Sequence, residues 1–101
     1  MQIIPGIISF PPTEDTGPQV LQTTVTFGSA VTQAVAILTG FVAQFSGGDD
    51  HNFGKLDVRV SAGPPNGANV VVTVTFGLRD WSGEWDDRYD GQVFFTVVGD
   101  P

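Results

Sequence analysis

Short runs of alternating apolar and polar residues recur along the chain, and they predict an all-β fold. Residues 55–60 alternate without exception, which places Leu56, Val58 and Val60 on one face of an extended strand. Residues 20–27 alternate in the same way. No segment keeps the helical period for several turns, and glycine and proline separate the runs as they do in β proteins.

The later part of the chain predicts a hairpin and two further strands. Residues 69–76 place Val70, Val72, Val74 and Phe76 on one face, and residues 89–98 again alternate, with Val93, Phe95 and Val97 on one face. Between two strand patterns, the segment Gly-Pro-Pro-Asn-Gly at 63–67 contains the residue types that favour a tight turn. With a strand inside residues 3–10, the pattern predicts about six antiparallel strands, a β-sandwich forming a single domain over residues 1–101.

Residues 34–42 are apolar at both odd and even positions. This pattern is typical of a central strand that is covered on both sides, or of a strand that packs against another subunit. We prefer the second interpretation, because a small sandwich has only one core with which to cover a strand. It predicts a homo-oligomer.

Composition and charge limit the classes of partner that the chain is expected to bind. Among 101 residues, 4 Lys and Arg stand against 11 Asp and Glu, a formal charge of −7. Such a charge opposes binding to nucleic acid and to anionic membranes. No apolar run reaches the roughly 18 residues of a membrane helix, and the first ten residues lack the basic start of a signal peptide. We therefore expect a soluble domain without membrane insertion, and the sequence leaves its location open.

The segment 77–90 is the most unusual part of the chain, because it contains both tryptophans and the only tyrosine beside five carboxylates. Long loops on rigid β-scaffolds often carry function. An aromatic ring covers the apolar C–H face of a sugar, and carboxylates accept hydrogen bonds from its hydroxyls. The predicted ligand contacts are therefore Trp81, Trp85, Asp86, Asp87 and Tyr89. The alternative is that the tryptophans close one end of the core and the acids are solvated.

Catalysis and metal binding receive little support from the residue types present. There is no cysteine, and the single histidine, His51, provides neither a zinc-binding pair nor a serine-histidine-aspartate triad. A carboxylate pair for glycoside hydrolysis and a calcium site among the loop acids are the open alternatives. The spacing of the acids matches no EF-hand loop. We expect no enzyme activity, no metal and no cofactor.

Lys55, Asp57 and Arg59 place three charges on one strand face. They form either a solvated surface or half of a polar contact between subunits.

The order of these features resembles the H-type lectin domain. The resemblance runs through a Val-Thr-Phe strand, an apolar strand, a charged strand, a hairpin and a Trp-containing loop that leads through a tyrosine into the last strand. In this chain those features are residues 25–27, 35–42, 55–60, 64–67, 85–89 and 92–98.

The resemblance implies a six-stranded sandwich that forms trimers and binds galactose-type sugars, especially N-acetylgalactosamine, in a shallow site between protomers. The family positions for the loop contacts fall on Trp85, Asp86 and Tyr89, and those for two basic residues of the charged strand fall on Lys55 and Arg59. The family has more residues between its tryptophan and tyrosine, so Trp81 is the alternative match.

Two functions therefore remain open. The first is a carbohydrate-binding, lectin-like module. The second is a structural or adhesive assembly domain, such as a virion fibre, pilus or coat component, in which the acidic loop is plain surface.

Overall fold

The described residues form six antiparallel strands in two three-stranded sheets, which confirms the all-β prediction and the expected number of strands. The computed structural model describes residues 1–13, 17–46, 52–85 and 87–101. The strands are β1 (Gln2–Thr13), β2 (Gln19–Thr26), β3 (Gln33–Phe45), β4 (Phe53–Ala62), β5 (Asn69–Asp80) and β6 (Tyr89–Asp100).

The strand order is β1-β6-β3 in one sheet and β2-β5-β4 in the other, so β5 and β6 are the central strands. The predicted hairpin at 63–67 joins β4 to β5, and Gly67 takes the positive φ of 62° that a turn of this kind requires. The other connections cross from one sheet to the other. Because each strand runs against its neighbour, the connections β1–β2, β3–β4 and β5–β6 leave the sheets at the same end, which we call the loop end.

The core lies between the inner faces of the two sheets. Val70, Val72, Val74 and Phe76 of β5 are fully buried, as the alternating pattern predicts. They face Val93, Phe95 and Val97 of β6, which are also buried. Burying one such side chain stabilises the fold by about 1.5–3 kcal/mol, so the two central strands supply most of the apolar stabilisation.

The position of β3 rules out one of the two interpretations of residues 34–42. It is an edge strand of its sheet, so it is not a central strand covered on both sides. Its inward side chains, Ala34 and Ala36, pack against the core. Its outward side chains, Val35 and Ile37, are 60% and 48% exposed. The apolar pattern on both parities thus reflects one face in the core and a second face that none of the six described strands covers.

Candidate functional site

A tight turn follows β5 and determines where Trp81 lies. The carboxylate of Asp80 accepts hydrogen bonds from the backbone N–H of Ser82 at 2.9 Å and from its hydroxyl at 2.5 Å. Gly83 then adopts a positive φ of 86°, which favours glycine. Asp80 is therefore a turn-forming residue that is itself buried. The turn directs Trp81 away from the core, and its side chain is 71% exposed.

Trp85 returns from the same loop to the body of the sandwich. It is half-buried, and it packs against the core with its ring centroid 6.2 Å from that of Tyr89. The guanidinium of Arg79 lies 5.7 Å from the centroid of the Trp85 ring, within the range of a cation–π interaction. Gly77 leaves room for the ring, since a Cβ atom there would come within 3.0 Å of Trp85 Cη2. Trp85 therefore anchors the loop.

Tyr89 is a core residue with no exposed surface. Its ring meets that of Phe76 edge-on at 5.8 Å, and its hydroxyl donates a hydrogen bond to the carbonyl oxygen of Gly17 at 2.9 Å. This bond ties the start of β6 to the connection between β1 and β2. A side chain buried to this degree cannot touch a ligand without a rearrangement, so the expectation that Tyr89 contacts a sugar receives no support from its position.

Burial raises the pKa of the Tyr89 phenol above its ordinary value of 10.0. Stabilisation by the neutral phenol is therefore complete below about pH 10 and is lost as the pH rises through the folded-state pKa. Because Tyr89 is the only tyrosine, tyrosinate absorbance follows this group alone. We expect an absorbance midpoint above pH 10 that coincides with a fall in melting temperature. The Y89F variant should lose that fall, and a midpoint at or below 10.0 in the folded protein would contradict the buried placement.

Phe53 is a second exposed aromatic residue beside Trp81, and it was not predicted. Phe53 is 65% exposed and pairs with Asp80, the residue before Trp81. The backbone N–H of Trp81 donates a hydrogen bond to the carbonyl oxygen of Asn52 at 3.0 Å. The two aromatic residues thus start from neighbouring strands, one residue apart. The signal for Phe53 in the sequence is a large aromatic residue just before the charged strand, and its odd position does not indicate its face, because the register shifts between Phe53 and Lys55.

The bulge at Gly54 fixes the start of β4 against the end of β5. The register shifts between Phe53 and Lys55, and a Cβ atom at Gly54 would collide with the carbonyl oxygen of Asp80. Only glycine permits this close approach of the two backbones. The placement of Phe53 next to Trp81 therefore depends on Gly54.

The two basic residues of the charged strand have different surroundings. Lys55 is exposed and pairs with Arg79 of β5. It lies about 7 Å from Phe53 along β4. Arg59 donates two hydrogen bonds to the carboxylate of Asp57, at 2.9 and 3.1 Å. Arg59 lies roughly 20 Å from Phe53 along the strand. Within one chain, therefore, Lys55 is close to the exposed aromatic residues and Arg59 is not.

The remaining candidate residues are divided between described and undescribed parts of the chain. Asp86 and His51 lie outside the described residues. Asp87 is half-buried, and Glu84 is exposed. Among residues 1–13, 17–46, 52–85 and 87–101, no three histidine, aspartate or glutamate side chains are grouped closely enough to hold a metal ion. The expectation that the chain binds no metal stays a prediction.

A shallow cleft of about 360 Å³ lies where β1, β6 and β3 approach the loop end. Its polar walls include Ser9, Gln44, Asp90 and Gln92. The carboxylate of Asp90 accepts hydrogen bonds from the Gln44 amide at 2.8 Å and from the Ser46 hydroxyl at 2.5 Å. Both of its oxygens therefore bind protein groups, and they tie β3 to β6.

Comparison of the chain with protein-family models, curated proteins and solved structures finds no match. The resemblance to H-type lectins thus rests on the residues quoted above and stays a prediction. Within the part of the chain that the structure describes, no helix is long and apolar enough to span a membrane.

Proposed function

We propose that the chain is a carbohydrate-binding, lectin-like module whose ligand site is the exposed aromatic pair at the loop end. One observation carries the proposal: Trp81, in the turn directly after β5, and Phe53, at the start of the neighbouring strand β4, are 71% and 65% exposed. Keeping two large aromatic side chains in water forgoes the stabilisation that their burial would provide. Their rigid attachment to the end of a sandwich suits a ligand that offers a flat apolar face.

The chemistry around the pair suits a polyhydroxylated ligand. Each ring can cover a C–H face of a sugar, while the ammonium group of Lys55 donates hydrogen bonds and the carboxylate of Glu84 accepts them. In this proposal Asp86 and Asp87 supply further acceptors from the same loop. Trp85 and Tyr89 hold the loop in place from the protein side. No catalytic step is part of the proposal.

The finer features of the proposal come from the resemblance to H-type lectins. These are the preference for galactose-type sugars, the trimeric state and the contribution of Arg59 from a neighbouring protomer. A site completed by a second protomer would explain how Arg59, which is distant from Trp81 in its own chain, reaches a ligand.

Removing either exposed ring should weaken sugar binding about tenfold, because one aromatic face against a sugar contributes on the order of 1–2 kcal/mol. Titration calorimetry with the best-bound galactoside should show this loss for W81A and for F53A. The matched control is F41A, which removes a phenylalanine 44% exposed on β3 of the other sheet and should leave the affinity unchanged. Wild-type affinity in both W81A and F53A would exclude this site.

The assembly domain remains the second candidate, because one observation favours it. The outer face of the sheet β1-β6-β3 carries exposed apolar side chains, among them Ile3, Ile7 and Ile37. A protein whose main role is assembly needs such a face and no sugar site. Self-association of the chain without binding to any glycan would support this candidate.

A further inference from the structure

The outer face of the sheet β1-β6-β3, here called the apolar face, carries mainly aliphatic and aromatic side chains in its rows from Ile3 to Ile7, with Thr96 among them, while Ser9, Gln92 and Gln44 are polar residues nearer the loop end. The registers place Ile3, Val98 and Val35 in one row across the three strands, and they place Ile7 beside Phe94. Ile3, Ile7 and Val35 are 60%, 50% and 60% exposed. The three strands contain two charged residues, Asp90 and Asp100, one near each end of β6. The apolar face is thus uncharged over the length between them.

The outer face of the other sheet has the opposite character, although it comes from the same fold. Its rows contain threonine, glutamine, serine and charged residues. Its polar side chains bond to one another, as in Gln22 Nε2 to Thr73 Oγ1 at 3.1 Å and Thr26 Oγ1 to Asn69 Oδ1 at 2.7 Å. The outer face of β2-β5-β4 is therefore mainly polar, whereas that of β1-β6-β3 exposes apolar side chains. The solubility of the chain alone does not require this contrast.

The size of the apolar face matches that of a stable protein interface. Three strands of about 12 residues, at about 3.3 Å per residue and 4.8 Å between strands, cover roughly 570 Å² with the polar rows near the loop end included. This is about a tenth of the surface of 5674 Å², the share that a specific interface takes from a small protein. Two such faces bury about 1,100 Å² together, above the approximate minimum of 1,000 Å² for a biological contact.

We propose that the apolar face binds the apolar face of a second copy of this chain. Identical uncharged faces are self-complementary, and a closed homo-oligomer arises when the same patch meets itself. The chain carries a net charge of −7, yet the contact has Asp90 and Asp100 only at its two ends and leaves Asp57, Asp80, Glu84 and Asp87 on other elements. Two apolar faces packed on each other form a two-fold dimer, and the trimer expected from the resemblance would need a contact between two different surfaces. The proposal does not depend on sugar binding.

Two valine substitutions test the proposal with matched chemistry. Val35 on β3 and Val20 on β2 are outward residues of edge strands in opposite sheets, 60% and 57% exposed. Sedimentation velocity of the wild-type chain at about 10 µM should give a mass of twice 10.7 kDa. V35D should sediment as a single chain at the same concentration, since it places an unpaired charge inside the contact. V20D should keep the wild-type mass.

Two outcomes overturn the proposal. One is a wild-type chain that sediments as a monomer at 10 µM and above, which would show that a different partner or only solvent meets the apolar face. The other is a V20D mass that falls together with that of V35D, which would place the contact elsewhere. If V35D does not fold, as judged by circular dichroism, the pair V35T and V20T repeats the comparison with a β-branched residue. V35T should then dissociate at a concentration at least tenfold higher than V20T.

Discussion

Replacing Gly91 with alanine should lower the free energy of unfolding by about 3 kcal/mol or more. Gly91 is a buried residue of the central strand β6, and an added Cβ atom would meet the Phe76 ring carbon Cζ at 2.6 Å and the carbonyl oxygen of Val42. Neither obstacle can move easily, because Phe76 is fully buried and Val42 belongs to the paired strand. The G91A variant should therefore show the loss as a lower midpoint in urea unfolding.

Gly63→Ala is the control for that measurement. A Cβ atom at Gly63 would have the Val71 carbonyl oxygen at 3.6 Å as its nearest neighbour, an ordinary contact. G63A should change the free energy of unfolding by no more than about 0.5 kcal/mol. Similar losses in the two variants would show that steric overlap between β6 and its neighbours is not the cause.

Trp85→Ala should destabilise the chain by about 2–4 kcal/mol, whereas Trp81→Ala should change its stability by less than about 0.5 kcal/mol. Trp85 packs against the core, the Tyr89 ring and the Arg79 guanidinium, and its removal leaves a cavity over Gly77. Trp81 is 71% exposed and leaves no cavity behind. Urea unfolding followed by circular dichroism separates the two variants.

The same comparison decides which tryptophan holds the loop. Equal stability losses in W85A and W81A, or a larger loss in W81A, would mean that the loop packs differently from the arrangement described here. Circular dichroism is preferable to fluorescence as the probe, because each variant removes one of the two tryptophans.

Strands β2, β4, β5 and β6 could be predicted from sequence because each one repeats a local alternating pattern. In β5 the residues Val70, Val72, Val74 and Phe76 alternate with polar or less buried residues, and any fold that gives this segment one inner face buries these four. The turn at 63–67 is equally local, since proline, asparagine and glycine each restrict or free their own backbone. These elements depend on neighbours within a few residues.

The roles of the two tryptophans could not be predicted, because they depend on distant residues. Trp81 and Trp85 both sit between polar residues in one acidic loop. Their difference comes from the turn that Asp80 forms and from the space that Gly77 leaves for the Trp85 ring. The pairing of Phe53 with Asp80 likewise joins residues 27 positions apart, which no local pattern records.

Tyr89 is a position at which the strand pattern and the family resemblance give different expectations. It lies in phase with Val93, Phe95 and Val97, and this parity places it inside the sandwich. The resemblance to a lectin family places a ligand contact at the same position. Its full burial favours the parity, since a continuous strand cannot turn one side chain outward without a bulge.

Sugar binding by the exposed aromatic pair is tested most directly by a glycan array probed with the wild-type chain beside W81A. We expect the wild-type chain to bind selectively to glycans that end in galactose or N-acetylgalactosamine. We expect W81A, which keeps its fold, to lose most of that signal. Uniform silence of the correctly folded wild-type chain across the array, at concentrations up to about 100 µM, would contradict a carbohydrate-binding function and leave assembly as the role of the fold.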